Sequence, residues 1–190
     1  DVERSRGLGD VYKRQGWDFF QGRVLWPIKD SAASVLGFGA RRVWDDDRMP
    51  AKYVNTPETP VYKKSHVLYG LDLARTNIGK KNQVVVVEGY TDVMAMHVAG
   101  INTAVASCGT AFGPEHAHLV QRLMGNRGAL NGEVIFPLDG DAAGRSAALK
   151  AYRDDEEFTS QTYVAVEPNG LDPCDPVSYT HLRAHETSLH

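Results

Sequence analysis

Four short runs of apolar and β-branched residues mark the second half of the chain: QVVVVEGY from Gln83, NTAVASCGT from Asn102, EVIFPLDGD from Glu133 and QTYVAVEP from Gln161. Each run is continuous rather than alternating, the pattern of a strand covered on both faces. Between them lie polar-apolar stretches of helical length. TDVMAMHVAG is halted by Gly100, GPEHAHLVQRLMG carries Pro114 at its first turn, and AAGRSAALKAYRDDEEF follows the third run. Proline just inside a helix start and glycine just past its end are favoured helix ends. Strands alternating with helices of this length predict a parallel or mostly parallel sheet with crossover helices.

The first half is patterned differently. RVLWPIKD alternates, and SVLGFGARRVW follows it with glycines and β-branched residues, which together predict a hairpin of a small antiparallel sheet. MPAKYVNTPETPVYKKSHVLYG is rich in Pro, Asn and Thr. Its prolines deny ladder donors, so it is expected to cross a surface as an extended loop rather than to enter the core. LDLARTNI then reads as a short helix closed by Gly79 and the lysines behind it. The ends, residues 1–15 and 176–190, look non-native: DVERSRGLGDVYKRQ and PVSYTHLRAHETS resemble translated sequencing adapter and are set aside from the fold. The tail's His181, His185 and His190 have no element to hold them as a metal site.

Composition adds less than its distribution. No run of about 18 apolar residues occurs, so no membrane span is expected, and two cysteines, Cys108 and Cys174, make no disulfide scaffold. The formal net charge is −3, but it hides a split. Residues 16–81 carry 11 Lys and Arg against 7 Asp and Glu, a net +4, whereas residues 82–176 carry 5 against 13, a net −8. Such asymmetry points to a surface for a polyanion beside a site for cations.

The acids have a pattern of their own. In open α/β sheets functional groups collect at the carboxyl ends of the strands. Glu88 is the first residue after VVVV, Asp139 and Asp141 come directly after VIFPL, and Asp172 and Asp175 follow the turn EPNG behind the last run. Acids drawn together from three strand ends repel one another unless cations sit there, and Mg²⁺ favours a few carboxylates with waters and phosphates. In an extended Asp139-Gly140-Asp141 both carboxylates face one side, and Gly140 lets the backbone come close.

VVVVEGYTDVMAMHVAGI, AVASCGTAF and DGDAAGRSAA resemble the TOPRIM domain, in the form found in bacterial replicative primases of the DnaG type. RVLWPIKD, VLGFGAR, KYVNTPET and VLYGL resemble segments of the same family, in the same order, and the likeness runs from about residue 16 to 175. It implies an α/β fold, with a TOPRIM-type mostly parallel sheet flanked by helices over 82–175. Part of a small α+β polymerase subdomain with a basic surface would precede it over 16–81. It implies a DNA-directed RNA polymerase that makes RNA primers on single-stranded DNA from ribonucleoside triphosphates during replication, in the bacterial cytoplasm at the fork.

By position the resemblance makes Glu88, Asp139 and Asp141 catalytic. It makes Glu88, Asp92, Asp139, Asp141, Asp172 and Asp175 the ligands of Mg²⁺ or Mn²⁺, with more than one ion and no zinc. Asp92 reads equally well as an acid favoured at a helix start. Relatives have D-P-D in the last motif where this chain has Asp172-Pro173-Cys174-Asp175, so either Asp172 or Asp175 fills that place; Cys174, a soft donor, is a bystander. Arg41, Lys52 and Lys64 match a basic ridge for template and new strand, while Tyr53 and Asn55 offer a stack and a hydrogen bond. Gly109-Thr110 reads first as a structural turn and second as a phosphate contact. The partners implied are the template, NTPs and the primer–DNA hybrid, with a replicative helicase only through a carboxyl-terminal domain not present here and no membrane. The isolated stretch is expected to prime weakly or not at all. The competing readings are another TOPRIM nuclease or topoisomerase, or an inactive metal-dependent nucleic-acid-binding piece.

Overall fold

The computed structural model describes residues 19–47, 49–138 and 161–166. The helix expected after Asp141 lies outside the described residues. The described chain forms a three-stranded sheet of order β1-β2-β3, from β1 (Arg23–Lys29), β2 (Val35–Arg42) and β3 (Tyr53–Asn55). A four-stranded sheet of order β5-β4-β6-β7 follows, from β4 (Gln83–Val87), β5 (Ala104–Ala106), β6 (Glu133–Leu138) and β7 (Gln161–Val166). Helices α1 (Leu71–Lys81), α2 (Tyr90–Val98) and α3 (Pro114–Asn131) lie between these strands in the chain, and a single 3₁₀ turn covers Lys64–His66. Among the described residues no helix is long and apolar enough to cross a membrane.

The chain parts into two compact units, residues 1–25 with 40–54 and residues 26–39 with 55–190. In the first, the buried Arg23 ties a loop together. Its Nε meets Asp47 Oδ2 at 2.7 Å, and its Nη2 donates to the carbonyls of Met49 and Ala51 at 3.0 and 3.1 Å. The hydrogen bond from Arg23 holds the Asp47 carboxyl below the usual carboxylate range.

In the second unit all pairings of the larger sheet are parallel. Val85, Val86 and Val87 of β4 pair with Ala104, Val105 and Ala106, and on the other side Gln83, Val84 and Val85 pair with Glu133, Val134 and Ile135. The four valines of β4 divide by parity, as a strand requires. Val84 and Val86 join Leu71, Ala74 and Ile78 of α1 and Val120 and Met124 of α3 on one face. Val85 and Val87 join Val93 and Met96 of α2 on the other. Each fully buried aliphatic side chain contributes about 1.5–3 kcal/mol, so a run apolar at every position is what a two-sided strand needs.

The hairpin forms as expected, closed by Asp30, whose Oδ1 accepts the amides of Ala32 and Ser34 at 2.8 and 2.9 Å. Pro27 sits in β1, an edge strand, where its missing N–H breaks no interior ladder. Two expectations are corrected. The Pro-rich stretch contributes strand β3, and its Tyr62, Val67 and Leu68 are buried, Tyr62 and Leu68 completely. Helix α1 also runs through Gly79 to Lys81. A Cβ at Gly79 would lie 3.1 Å from the Leu123 carbonyl of α3, so glycine lets the two helices approach, and Asn82 in the left-handed region ends α1 instead. In α3 Gly125 itself is non-helical, at φ 72° and ψ 176°, so the helix that Pro114 opens is broken at that glycine and helical turns resume after it.

Glycines of β2 are dictated by what lies over them. A Cβ on Gly37 would come to 3.0 Å from Thr56 Cβ, and one on Gly39 would fall 2.1 Å from Cζ of the buried Tyr90. The Tyr90 ring is held by Trp26, stacked at 5.2 Å, and by Tyr69 edge-on at 4.8 Å, so it has nowhere to go. Gly39→Ala is therefore expected to destabilise the protein by about 2 kcal/mol or more, measured by urea unfolding. An unchanged midpoint would show that the ring can move.

Candidate active site

Glu88 leaves β4 directly behind Val87, and its side chain is exposed. β4 and β6 pair in parallel through Val85 and Ile135, so Val87, which Glu88 follows, and Leu138, the last residue of β6, close their strands at the same edge of the sheet. The carboxyl ends of two adjacent parallel strands thus meet at one edge. Asp139, Asp141, Asp172 and Asp175 lie outside the described residues. Among the described residues no group of three or more His, Cys, Asp and Glu comes together; Glu88 and Asp92 are the two expected ligands that the structure describes.

Asp92 is the third residue of α2. Its Oδ2 accepts the Gly89 amide at 2.9 Å and its Oδ1 accepts the Thr91 hydroxyl at 3.2 Å. It caps the helix that begins behind Glu88. Glu88 is therefore fixed from both sides, by the β4 ladder before it and by the capped first turn after it.

Tyr90, the first residue of α2, locks that turn to the rest of the unit. Its hydroxyl donates to Asn55 Oδ1 at 2.7 Å, and Asn55 Nδ2 donates to the Cys108 carbonyl at 2.7 Å. Because that carbonyl only accepts, the nitrogen of the Asn55 amide must face it and the oxygen must face Tyr90. Burial drives the Tyr90 phenol far above its ordinary value and pushes the Cys108 thiol up to about 11, so both stay neutral. Cys108 and Gly109 both take left-handed backbone, φ 58° and 80°, and Ser107 Oγ closes the turn on the Thr110 carbonyl at 2.6 Å. The Gly109-Thr110 segment is a built turn.

The expected nucleic-acid contacts are distributed over both units. In the first, Arg41 places its guanidinium carbon 5.9 Å from the centroid of the Tyr53 ring, and Lys52 is exposed. In the second, Asn55 is half-buried with its amide spent on the interior bonds just described. Lys64 starts the 3₁₀ turn; its amide donates to Glu58 Oε1 at 3.0 Å and its carbonyl accepts from His116 Nε2 at 2.8 Å. His116 is 1 % exposed, and its Nδ1 accepts the Gly113 amide at 3.2 Å, so the hydrogen rides on Nε2. His118, two residues on, is exposed, so the two histidines face different ways. Sequence reasoning missed Tyr90, Glu58 and His116. For His116 a signal existed, a polar residue at the third position of a helix opening Gly-Pro, where a side chain can turn back onto the cap.

With this geometry in hand, the comparisons are decisive. A profile of the DNA primase catalytic core, N-terminal domain, matches residues 4–75, reaching into the stretch set apart at the amino end, and a Toprim domain profile matches residues 82–166. The chain belongs to the DnaG-type primase family. The amino-terminal match separates it from other Toprim enzymes, whose nuclease or topoisomerase chemistry was the competing reading. DNA primase of Mycobacterium tuberculosis is 61 % identical over 171 residues, 90 % of this chain and 27 % of that protein. The crystal structure of the RNA polymerase domain of M. tuberculosis primase DnaG superposes with a TM-score of 0.81 at 51 % identity, covering 93 % of this chain and 64 % of that one. The same domain in complex with a double-stranded DNA oligomer bearing a 6-nucleotide overhang gives 0.77 at 50 % identity, covering 95 % and 64 %. The chain thus spans about a quarter of the length of the curated primases it matches.

Burial holds His116 below histidine's ordinary 6.5, in the neutral form its two hydrogen bonds require. A lowered value in the folded state means that the unfolded chain binds the proton more readily, so stability is full above 6.5 and falls as pH drops below it. His116→Gln keeps a donor for Lys64 and removes the titration. Its stability deficit in urea unfolding should therefore shrink between about pH 7 and about pH 5. A deficit constant across that range would contradict the assignment.

Proposed function

We propose that this chain carries the catalytic centre of a primase, a DNA-directed RNA polymerase that joins ribonucleoside triphosphates into short RNA primers on a single-stranded template. The observation that carries the reading is Glu88, exposed at the carboxyl end of β4, on the same sheet edge as the end of β6, which Asp139-Gly140-Asp141 follows in the sequence. The division of labour follows the boundary near residue 81, a basic amino-terminal part and an acidic Toprim part, and the two profile matches support it.

Toprim primases depend on metal. The donors here are carboxylate oxygens, and the exposed Glu88 leaves room for water, a set suited to hard divalent ions. Glu88, Asp92, Asp139, Asp141 and either Asp172 or Asp175 would hold Mg²⁺ or Mn²⁺, more than one ion in all. Bound ions would neutralise the triphosphate and orient it for attack. The chain's own part is placement. Glu88 stands where β4 and the capped turn fix it, and Asp92 secures the turn. Arg41, Lys52 and Lys64 take phosphates without reading sequence, and Tyr53 offers a face to a base. The M. tuberculosis polymerase domain, solved with a DNA oligomer carrying an overhang, supports DNA as the ligand. That its bacterial relatives are DNA primases supports a place in replication, which we read as the cytoplasmic fork; engagement of a helicase through a carboxyl-terminal domain is part of the same proposal.

Mn²⁺ titration followed by electron paramagnetic resonance tests the centre. Asp139→Asn/Asp141→Asn should weaken binding about tenfold or more, and Glu88→Gln should weaken it less, since one of several carboxylates is removed. Equal binding by the wild type and the double variant would overturn the reading. For the basic part, Lys52→Ala/Lys64→Ala should flatten the slope of log affinity for single-stranded DNA against log salt by about 1.4, near 0.7 for each phosphate that is no longer neutralised.

A further inference from the structure

Lys64 lies in a stretch held by nothing more regular than one 3₁₀ turn, yet its backbone N–H and its carbonyl are each held by a side chain. Its N–H donates to Glu58 Oε1 at 3.0 Å, and its carbonyl accepts from His116 Nε2 at 2.8 Å. The loop that delivers Glu58 is itself closed. Thr59 and Tyr62 exchange backbone hydrogen bonds at 2.9 and 3.2 Å, and the Tyr62 side chain is wholly buried. His116 in turn is anchored by the Gly113 amide at the start of α3. A neighbouring loop and a remote helix thus converge on the backbone of one lysine.

We infer that Glu58 and His116 are positioning residues for Lys64, holding its backbone so that its ammonium is presented to a nucleic-acid phosphate. The inference rests on the reading of Lys64 as a phosphate contact. Its physical basis is entropic: a backbone already fixed in the free protein need not be ordered on binding. For Glu58 the inference opposes plain electrostatics. A carboxylate near a phosphate-binding lysine repels a polyanion, so charge alone predicts tighter binding when it is removed.

Two replacements separate these effects, because Glu58→Gln and Glu58→Ala remove the same charge and only the glutamine keeps an oxygen for the Lys64 amide. Glu58 is exposed, so neither replacement disturbs the core. Binding of a fluorescent oligo(dT) strand to the 190-residue chain is measured by anisotropy, with thermal melting as a check on folding. Glu58→Ala should bind about threefold more weakly than Glu58→Gln, the order of one hydrogen bond, and the two should become equal in a Lys64→Ala background. Equal affinities with Lys64 present, or a difference that persists without it, would overturn the positioning role. If Lys64→Ala alone binds like the wild type, the phosphate contact itself fails, an outcome distinct from the other two.

Discussion

Everything at the candidate centre depends on β4 lying between β5 and β6 with all three strands parallel. Parallel strands send their carboxyl ends to the same edge, so whatever residue follows each strand is delivered to one place. The pairing is enforced by burial on both faces. Shifting the register of β4 by one residue would exchange Val84 and Val86 with Val85 and Val87, moving every valine to the opposite helix layer. A run of four valines is thus a statement about topology before it is one about chemistry, and Glu88 inherits its position from it.

A second constraint grips the turn behind Glu88. Tyr90 is stacked on Trp26, met edge-on by Tyr69, covered by Gly39 and hydrogen-bonded to Asn55. The glycine pattern of VLGFGAR, with no evident chemical purpose, is the space left for this ring and for Thr56. The proposed centre needs its acids held to within fractions of an ångström, and a turn locked by aromatic packing on one side and a helix cap on the other supplies that rigidity for Glu88.

The parallel sheet and the hairpin were legible because their signals are local: continuous apolar runs, Pro114 at a helix start, alternation in RVLWPIKD. Glu88 was legible from its place behind VVVV. What escaped depends on contacts between distant segments. Prolines in the 49–70 stretch argue for a surface loop outside the core, but the burial of Tyr62 follows from a cluster with Trp26, Ile28 and Cys108 that no window of sequence contains. Gly79 looked like a helix end because glycine costs about 1 kcal/mol inside a helix, and the close approach to α3 offsets that cost. Asn55 is expected to offer a hydrogen bond to nucleic acid, whereas its amide is engaged by Tyr90 and Cys108, partners 35 and 53 residues away.

The central claim is that metal gathers where β4 and β6 end. Paramagnetic broadening of backbone amide NMR signals by substoichiometric Mn²⁺ tests it directly. Signals of Glu88, Gly89 and Leu138 should broaden first, while those of Asn82 and Gly132, which precede the opposite ends of the same two strands, keep their widths. Broadening that favours Asn82 and Gly132, or that is uniform over both ends, would contradict the account.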